Sequence, residues 1–267
     1  MQDMELRQGA LQVLAECDLE QKLQQTRQLV EAWSRQQLRL DAAAVLNARQ
    51  TLPGHPPRPL LVAPTDVKKR GMQTTEGRAT LIHALAHIEF NAINLALDAV
   101  WRYAGMPQAF YDDWLKVAGE EAYHFSLLHA HLQSLGYTYG DFPAHNGLWD
   151  MAQKTGSDLL ARLALVPRTL EARGLDVTPA IRAKFVQAGD MQAAEILEII
   201  LRDEIGHVAI GNRWFQYLCA QRGLDTIEAY AQLQREYQAP AVRGPFNHEA
   251  RLAAGFSELE LQALSCQ

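Results

Sequence analysis

Three observations predict an all-α chain: a four-helix bundle with one long crossover, preceded by a helical extension and followed by a helical tail. The first is a repeated polar pattern. Glu121-Ala-Tyr-His124 and Glu204-Ile-Gly-His207 each follow a lone glutamate, Glu89 by 32 residues and Glu171 by 33. The second is register: Glu121 to Glu204 and His124 to His207 both span 83 residues and Glu89 to Glu171 spans 82, as a duplicated helical hairpin would leave them. The third is apolar periodicity at helical spacing around all six positions. Ile82, Leu85, Ala86, Ile93, Ala96, Leu97 and Val100 flank Glu89; Trp114, Val117, Ala118, Phe125, Leu128 and Leu132 flank Glu121 and His124. Leu197, Ile200, Leu201, Val208, Trp214, Phe215 and Leu218 do the same for Glu204 and His207, and Leu160, Leu163 and Leu170 precede Glu171.

Taken in order, residues 4–50 lack proline and are rich in Leu, Ala, Gln and Glu, which predicts helices over 4–33 and 37–49. Pro53-Gly-His-Pro-Pro-Arg-Pro59 cannot be helical and passes in extended form to Pro64. The first bundle helix is predicted over 76–104 and the second over 108–135, stopped by Gly105-Met106-Pro107 and by Gly136. Glu89 lies 16 residues before Gly105 and Glu121 lies 16 after it. Antiparallel helices then hold the two acids at one height, about 24 Å from the turn. Tyr137 to Trp149, with its Gly, Pro, Asp and aromatic residues, reads as the crossover. The third helix, 150–173, carries Pro167 one turn before Glu171 and stops at Gly174; Thr178-Pro179 opens a short piece continuing that column. The fourth runs from Asp190 to Cys219, and short helices fill the tail around Arg243-Gly-Pro-Phe. The domains are thus an extension over 1–52, a proline-rich linker over 53–75, a metal-holding bundle over 76–220 and a tail over 221–267.

On a helix, positions i and i+3 project from nearly one face, so each Glu-x-x-His offers an oxygen and a nitrogen ligand side by side. Buried carboxylates without compensation cost several kcal/mol each, so four pointing into one core require positive charge among them. Two divalent cations, iron or manganese from the hard oxygen and imidazole donors, would balance Glu89, Glu121, Glu171 and Glu204 with neutral His124 and His207. The competing reading is two exposed salt-bridging pairs plus two stray glutamates. Glu120 and Asp203 precede the two motifs and stand at the edge of the buried face, where an acid orients a ligating imidazole: Asp203 toward His124 and Glu120 toward His207, against the alternative of solvated acids. His83 and His87 share a face turned away from Glu89 and read as core or surface histidines, and His145 as a satisfied loop histidine. Glu195 and Glu198 compete with Glu171 but share a helix with Glu204 and face away from it.

Composition narrows the classes. No run approaches the roughly 20 apolar residues that span a bilayer, and Met1-Gln-Asp-Met-Glu-Leu-Arg has no signal-peptide core, so the chain is expected in the cytoplasm. Cys17, Cys219 and Cys266 form no Cys-x-x-Cys, which leaves no disulfide framework and no rubredoxin-type iron centre. Reducing electrons must therefore come from an external donor. A net charge of −6 argues against a nonspecific nucleic-acid binder, and the run Lys68-Lys69-Arg70 reads as a solvated loop.

The six-residue pattern resembles the ferritin-like superfamily, which includes ferritins, rubrerythrins, the ribonucleotide reductase small subunit and di-iron hydroxylases. His83-Ala-Leu-Ala-His-Ile-Glu89, Tyr139-Gly-Asp-Phe-Pro-Ala-His145, Leu170 through Pro179 and Asp203-Glu-Ile-Gly-His-Val208 are similar, more narrowly, to a bacterial ferritin-like family of unknown function over about 55–256. That resemblance implies the fold and a di-metal site and carries no substrate. A broken third helix and a tail disfavour iron storage, while Tyr123 and Tyr103 offer no tyrosyl radical near the metals. The expected activity is a non-haem di-iron or iron/manganese oxidoreductase that activates dioxygen or peroxide, such as an oxygenase of a small molecule or a modified RNA base. A ferroxidase or peroxide scavenger, and a metal-stabilised scaffold without turnover, are the alternatives; a homo-oligomer is left open.

Overall fold

A computed structural model describes residues 5–68 and 70–265. Residues 1–4, Lys69 of the basic run, and residues 266 and 267, which include Cys266, lie outside the described residues. Apart from two isolated bridges, every regular element among the described residues is helical, and the chain divides into two compact units, Met1–Gly147 and Leu148–Gln267. None of the helices is long and apolar enough to cross a membrane.

In the first unit, α1 (Leu6–Ala15) and α2 (Leu19–Ser34) precede a long hairpin of α3 (Thr75–Arg102) and α4 (Gln108–Ser134). Side-chain caps start these helices: Glu5 accepts from the Arg7 and Gln8 amides, Asp18 from Gln21 and Thr74 from Gly77. Gly105, at φ 76°, makes the hairpin turn and donates its N–H to the Ala42 carbonyl at 2.7 Å. α1 packs on α3 through buried Leu6, Ala10, Leu11, Val13 and Leu14, and α2 packs on α4. Each fully buried leucine contributes about 1.5–3 kcal/mol.

The helix predicted over 37–49 does not form. Leu6 donates to the Arg39 carbonyl, and the buried Arg7 guanidinium binds the carbonyls of Asp41, Ala42 and Ala44 and also that of Trp101 on α3. A cationic donor fork from another helix satisfies, in irregular turns, carbonyls that a local helix would have used, so tertiary contact overrides propensity. The proline-rich segment is fastened similarly. Lys22 Nζ, fully buried, donates to the carbonyls of Leu14 and Gly54 and to Asn94 Oδ1 on α3.

The second unit contains α5 (Gly147–Lys154, whose first residue closes the first unit), α6 (Leu159–Leu165), a π-helical turn (Val166–Glu171), α7 (Ala172–Gln187) and α8 (Met191–Arg222). The tail forms α9 (Thr226–Glu236), α10 (His248–Ala253) and α11 (Glu258–Ser265). The predicted third helix is thus two α-helical pieces and a π turn. Pro167 has no N–H and crowds the preceding turn, so the backbone widens; Thr169 Oγ1 closes the gap by donating to the Ala164 carbonyl at 2.8 Å.

The predicted stop at Gly174 and restart at Thr178-Pro179 do not occur either, since α7 runs through both. Pro179 deprives the Leu175 carbonyl of its usual donor. Asn247 Nδ2, from the tail, supplies the missing bond at 3.1 Å, and Arg251 clamps Asp176 one residue on. A glycine such as half-buried Gly174 costs a helix only about 1 kcal/mol, which these contacts offset.

Candidate metal centre

Three predicted ligands converge inside the first unit. Glu89 on α3 and Glu121 and His124 on α4 are 4 %, 1 % and 0 % exposed. His124 Nδ1 lies 3.3 Å from Glu121 Oε2 and 3.6 Å from Glu89 Oε2, and their ligand atoms fall within 4.8 Å of one another. The turn at Gly105 sets this up: equal spacing on either side brings the two acids to one level, and the i, i+3 step adds the imidazole.

The electrostatics of the three groups are strongly coupled. Burial, then the like charge of Glu121, raises the Glu89 carboxyl well above its usual range. His124 responds in the opposite sense. Burial opposes its charge, yet the Glu121 and Glu89 carboxylates push it up to about 11. An imidazolium proton therefore stands between the carboxylates, and the three groups still carry one surplus negative charge when all are ionised. Glu89 Oε2 has no hydrogen-bond partner among the described residues, a state that buried carboxylate oxygens rarely keep. Two oxygens and one nitrogen could hold a metal ion in place of that proton.

The second unit repeats the local part of this pattern. On α8, His207 is fully buried, and its Nδ1 lies 3.6 Å from Oε1 of Glu204, whose side chain is 15 % exposed. Glu171 closes the π turn and is half-buried. The reading of two exposed salt-bridging pairs does not describe Glu89, Glu121, His124 or His207, all of which are buried.

Glu120 is half-buried with Lys116 3.6 Å away, and Asp203 is held by Arg202 at 2.8 Å. Glu195 and Glu198 are exposed, Glu198 pairing with Arg182, which fits their rejection as ligands. Tyr123 is half exposed, in keeping with a direction away from the interior.

Sequence reasoning missed a polar network around His83 and His87. Both are buried core residues, and burial holds both imidazoles down to about 4. His83 Nε2 accepts from the Gly140 amide at 2.9 Å. His87 Nδ1 lies 2.8 Å from the hydroxyl of buried Tyr139, and its Nε2 lies 3.2 Å from the carbonyl of His145, whose ring is exposed. Burial pushes the Tyr139 phenol well above its ordinary range. The i, i+4 histidine pair was visible in the sequence; its phenolic partner, 52 residues later, carried no signal.

Comparison with known proteins gives a family without an activity. A family described as "Protein of unknown function (DUF455)" matches residues 15–262. A protein of Haemophilus influenzae, named "Uncharacterized protein", is 51 % identical over 233 residues, covering 85 % of this chain and 81 % of its own length. No solved structure matches.

Proposed function

The chain belongs to the DUF455 family of unknown function, so its chemistry must come from its residues, and we propose that it is a ferritin-like di-iron or iron/manganese carboxylate oxidoreductase. The buried Glu89–Glu121–His124 cluster carries the reading, because it gathers two carboxylates and an imidazole within ligand distance of one another where a hairpin fixes them. In this reading Glu171, Glu204 and His207 are the metal ligands that the second unit contributes. The 83-residue repeat of the Glu-x-x-His motif and the burial of His207 support it.

Bound iron would supply activation of dioxygen or peroxide. The chain's own contribution is to hold and to exclude. Glu89, Glu121 and His124 bind from two helices joined by a short turn, so the donors are preorganised before metal arrives. His124 loses to solvent the proton that now bridges the carboxylates, and binding is therefore favoured as pH rises. Phe90 and Phe125, each next in sequence to a ligand, are buried and keep water from the donors. The π turn ending at Glu171 gives the second unit's acid a local backbone that a regular helix lacks, a recurrent device at functional sites.

Metal analysis of protein from its native host, then anaerobic iron loading and a timed oxygen pulse, tests the proposal. Expected are two metal ions per chain, reduced binding in Glu121→Gln and Glu204→Gln, and an oxygen-dependent spectral change that an added organic substrate accelerates. Rapid ferric release would instead identify a ferroxidase. A chain that binds metal tightly but stays spectrally inert to oxygen and peroxide is a scaffold, and the oxidoreductase reading fails.

A further inference from the structure

We propose that Arg168 and the rings around it form a seat for a small-molecule carboxylate with an apolar body, and that Glu260 of α11 fills this seat as a built-in substitute. The proposal needs no metal, so it stands or falls apart from the reading above.

The seat is built by elements other than α11. Arg168, 2 % exposed, projects from the π turn, and its Nη1 donates to Asn212 Oδ1 on α8 at 3.0 Å. Asn212 is itself fixed, since its Nδ2 donates to the Ala254 carbonyl at 2.7 Å. The guanidinium carbon lies 4.8 Å from the ring centre of Phe215 on α8, 5.3 Å from that of Tyr230 on α9 and 4.7 Å from that of Phe256. Phe256 is anchored behind α10, its N–H donating to the Arg251 carbonyl at 3.1 Å. Departure of α11 therefore leaves a cation held among three rings, a setting that selects an anion carried on an apolar body.

Glu260 fits that seat incompletely. It accepts from Arg168 Nη2 through Oε1 alone, because Oε2 turns back to the N–H and hydroxyl of Ser257. Arg168 Nε, on the same edge of the guanidinium, has no hydrogen-bond partner among the described residues. A cavity of about 20 Å³, enough for one water, remains between Arg168, Ile227, Tyr230, Glu260, Ala263 and Leu264. The other buried arginine of this region shows the completed form of such a pair: Arg251 binds Asp176 through both Nε and Nη2, at 2.9 and 2.7 Å. A free carboxylate can take the same side-on pose on Arg168 and satisfy its Nε as well.

The construction of α11 lets it leave as a unit. Eight residues are too few for a stable isolated helix, and α11 is tied down by buried Leu261 and Leu264 while Leu259 is 67 % exposed. Glu260 also closes the first turn of this helix, since the Ser257 hydroxyl accepts from the Glu260 N–H at 3.3 Å, the reciprocal of the bonds above. One carboxylate thus both starts α11 and fills the seat. Displacing it unwinds the helix, and the space vacated by Leu264 receives the apolar part of the ligand. Arg168 shares its π turn with Glu171, so occupancy of the seat bears on that stretch of backbone.

The probe is octanoate, titrated calorimetrically into the full-length protein while hydrogen exchange of residues 257–264 is followed by mass spectrometry. Octanoate is expected to bind and to speed exchange across 257–264. Ser257→Ala loosens the cap without touching Arg168 and should tighten binding about fivefold, the shift that loss of a helix cap gives. Glu260→Gln removes the occupant and should tighten binding by about tenfold or more, and octanoate should restore the Tm that this variant loses. Arg168→Lys, which lacks the planar fork, should abolish binding, and octanamide, a neutral isostere, should not bind the wild type. Absence of binding to folded Ser257→Ala, equal affinity in Arg168→Lys or for octanamide, or binding that leaves exchange at 257–264 unaltered overturns the proposal.

Discussion

Replacing Glu89 with glutamine is expected to stabilise the metal-free protein and to abolish its stabilisation by metal. Ionising Glu89 beside Glu121 and protonated His124 would place two negative charges and one positive charge in a volume with almost no solvent exposure, the cost that holds its carboxyl well above the usual range. An amide at position 89 has the same shape, removes the surplus charge and leaves the His124–Glu121 pair at 3.3 Å intact. It can also donate to one neighbour and accept from the other, which suits a place where Glu89 Oε2 lacks a hydrogen bond. Neutralising buried ionic groups at constant volume typically stabilises by about 1–4 kcal/mol. For a chain of this size that raises Tm by roughly 2–8 °C.

Metal acts in the other direction. A divalent ion at one hundred times its Kd stabilises the wild type by about 2.7 kcal/mol, or roughly 5 °C. Glu89→Gln should lose most of that gain, because an amide oxygen is a neutral and weaker ligand. Thermal melts of chelator-treated and iron- or manganese-loaded protein, wild type and variant, give all four values, read on the transition that includes residues 1–147. If the metal-free variant melts lower than the wild type and both gain equally from metal, the cluster is an ordinary buried polar network and the argument from surplus charge is wrong.

Three further outcomes follow from contacts outside the cluster. Burial, partly offset by Asp141, holds the folded His83 at about 4, below the unfolded value of 6.5. The unfolded chain alone takes up that proton as pH falls from 6.5 to 4, so stability present above 6.5 is lost across that window, by about 3 kcal/mol in all. His83→Gln, which keeps an acceptor for the Gly140 amide, should flatten that part of the stability profile in denaturant titrations; an unchanged slope would exclude His83 as its source. A Cβ on Gly211 would lie 2.5 Å from Pro167 Cβ, so Gly211→Ala should displace the π turn and weaken metal binding while the circular-dichroism helix content stays near wild type. Equal metal stoichiometry and affinity would sever the turn from the site. Lys22→Met strands three acceptors, the carbonyls of Leu14 and Gly54 and Asn94 Oδ1, and should cost about 2–5 kcal/mol with faster proteolysis within 50–60. Unaltered proteolysis would mean that segment is held by its other contacts.

What the sequence disclosed about this chain was what local geometry controls. A Glu-x-x-His motif needs only its own helix to align two donors, and the symmetric spacing about Gly105 needs only a tight turn, so the convergence of Glu89, Glu121 and His124 was legible without coordinates. Each element read wrongly depends on a partner distant in the chain. Residues 37–49 remain non-helical because Arg7 binds the carbonyls of Asp41, Ala42 and Ala44, and α7 continues past Pro179 because Asn247 reaches the Leu175 carbonyl from 72 residues away. Tyr139 was invisible for the same reason, its meaning lying in His87. Glu171 belongs between these cases. Its offset from Glu89 is one residue shorter than the other two, and it closes a turn in which Pro167 replaces regular α-helical bonding. A residue count that assumes 3.6 residues per turn misjudges the face of any side chain beyond a π turn, because the extra residue advances the phase by about 100°. A Cβ at Gly211 would collide with Pro167 inside that turn, which makes Gly211→Ala the substitution that tests whether the turn's geometry serves Glu171 as a ligand.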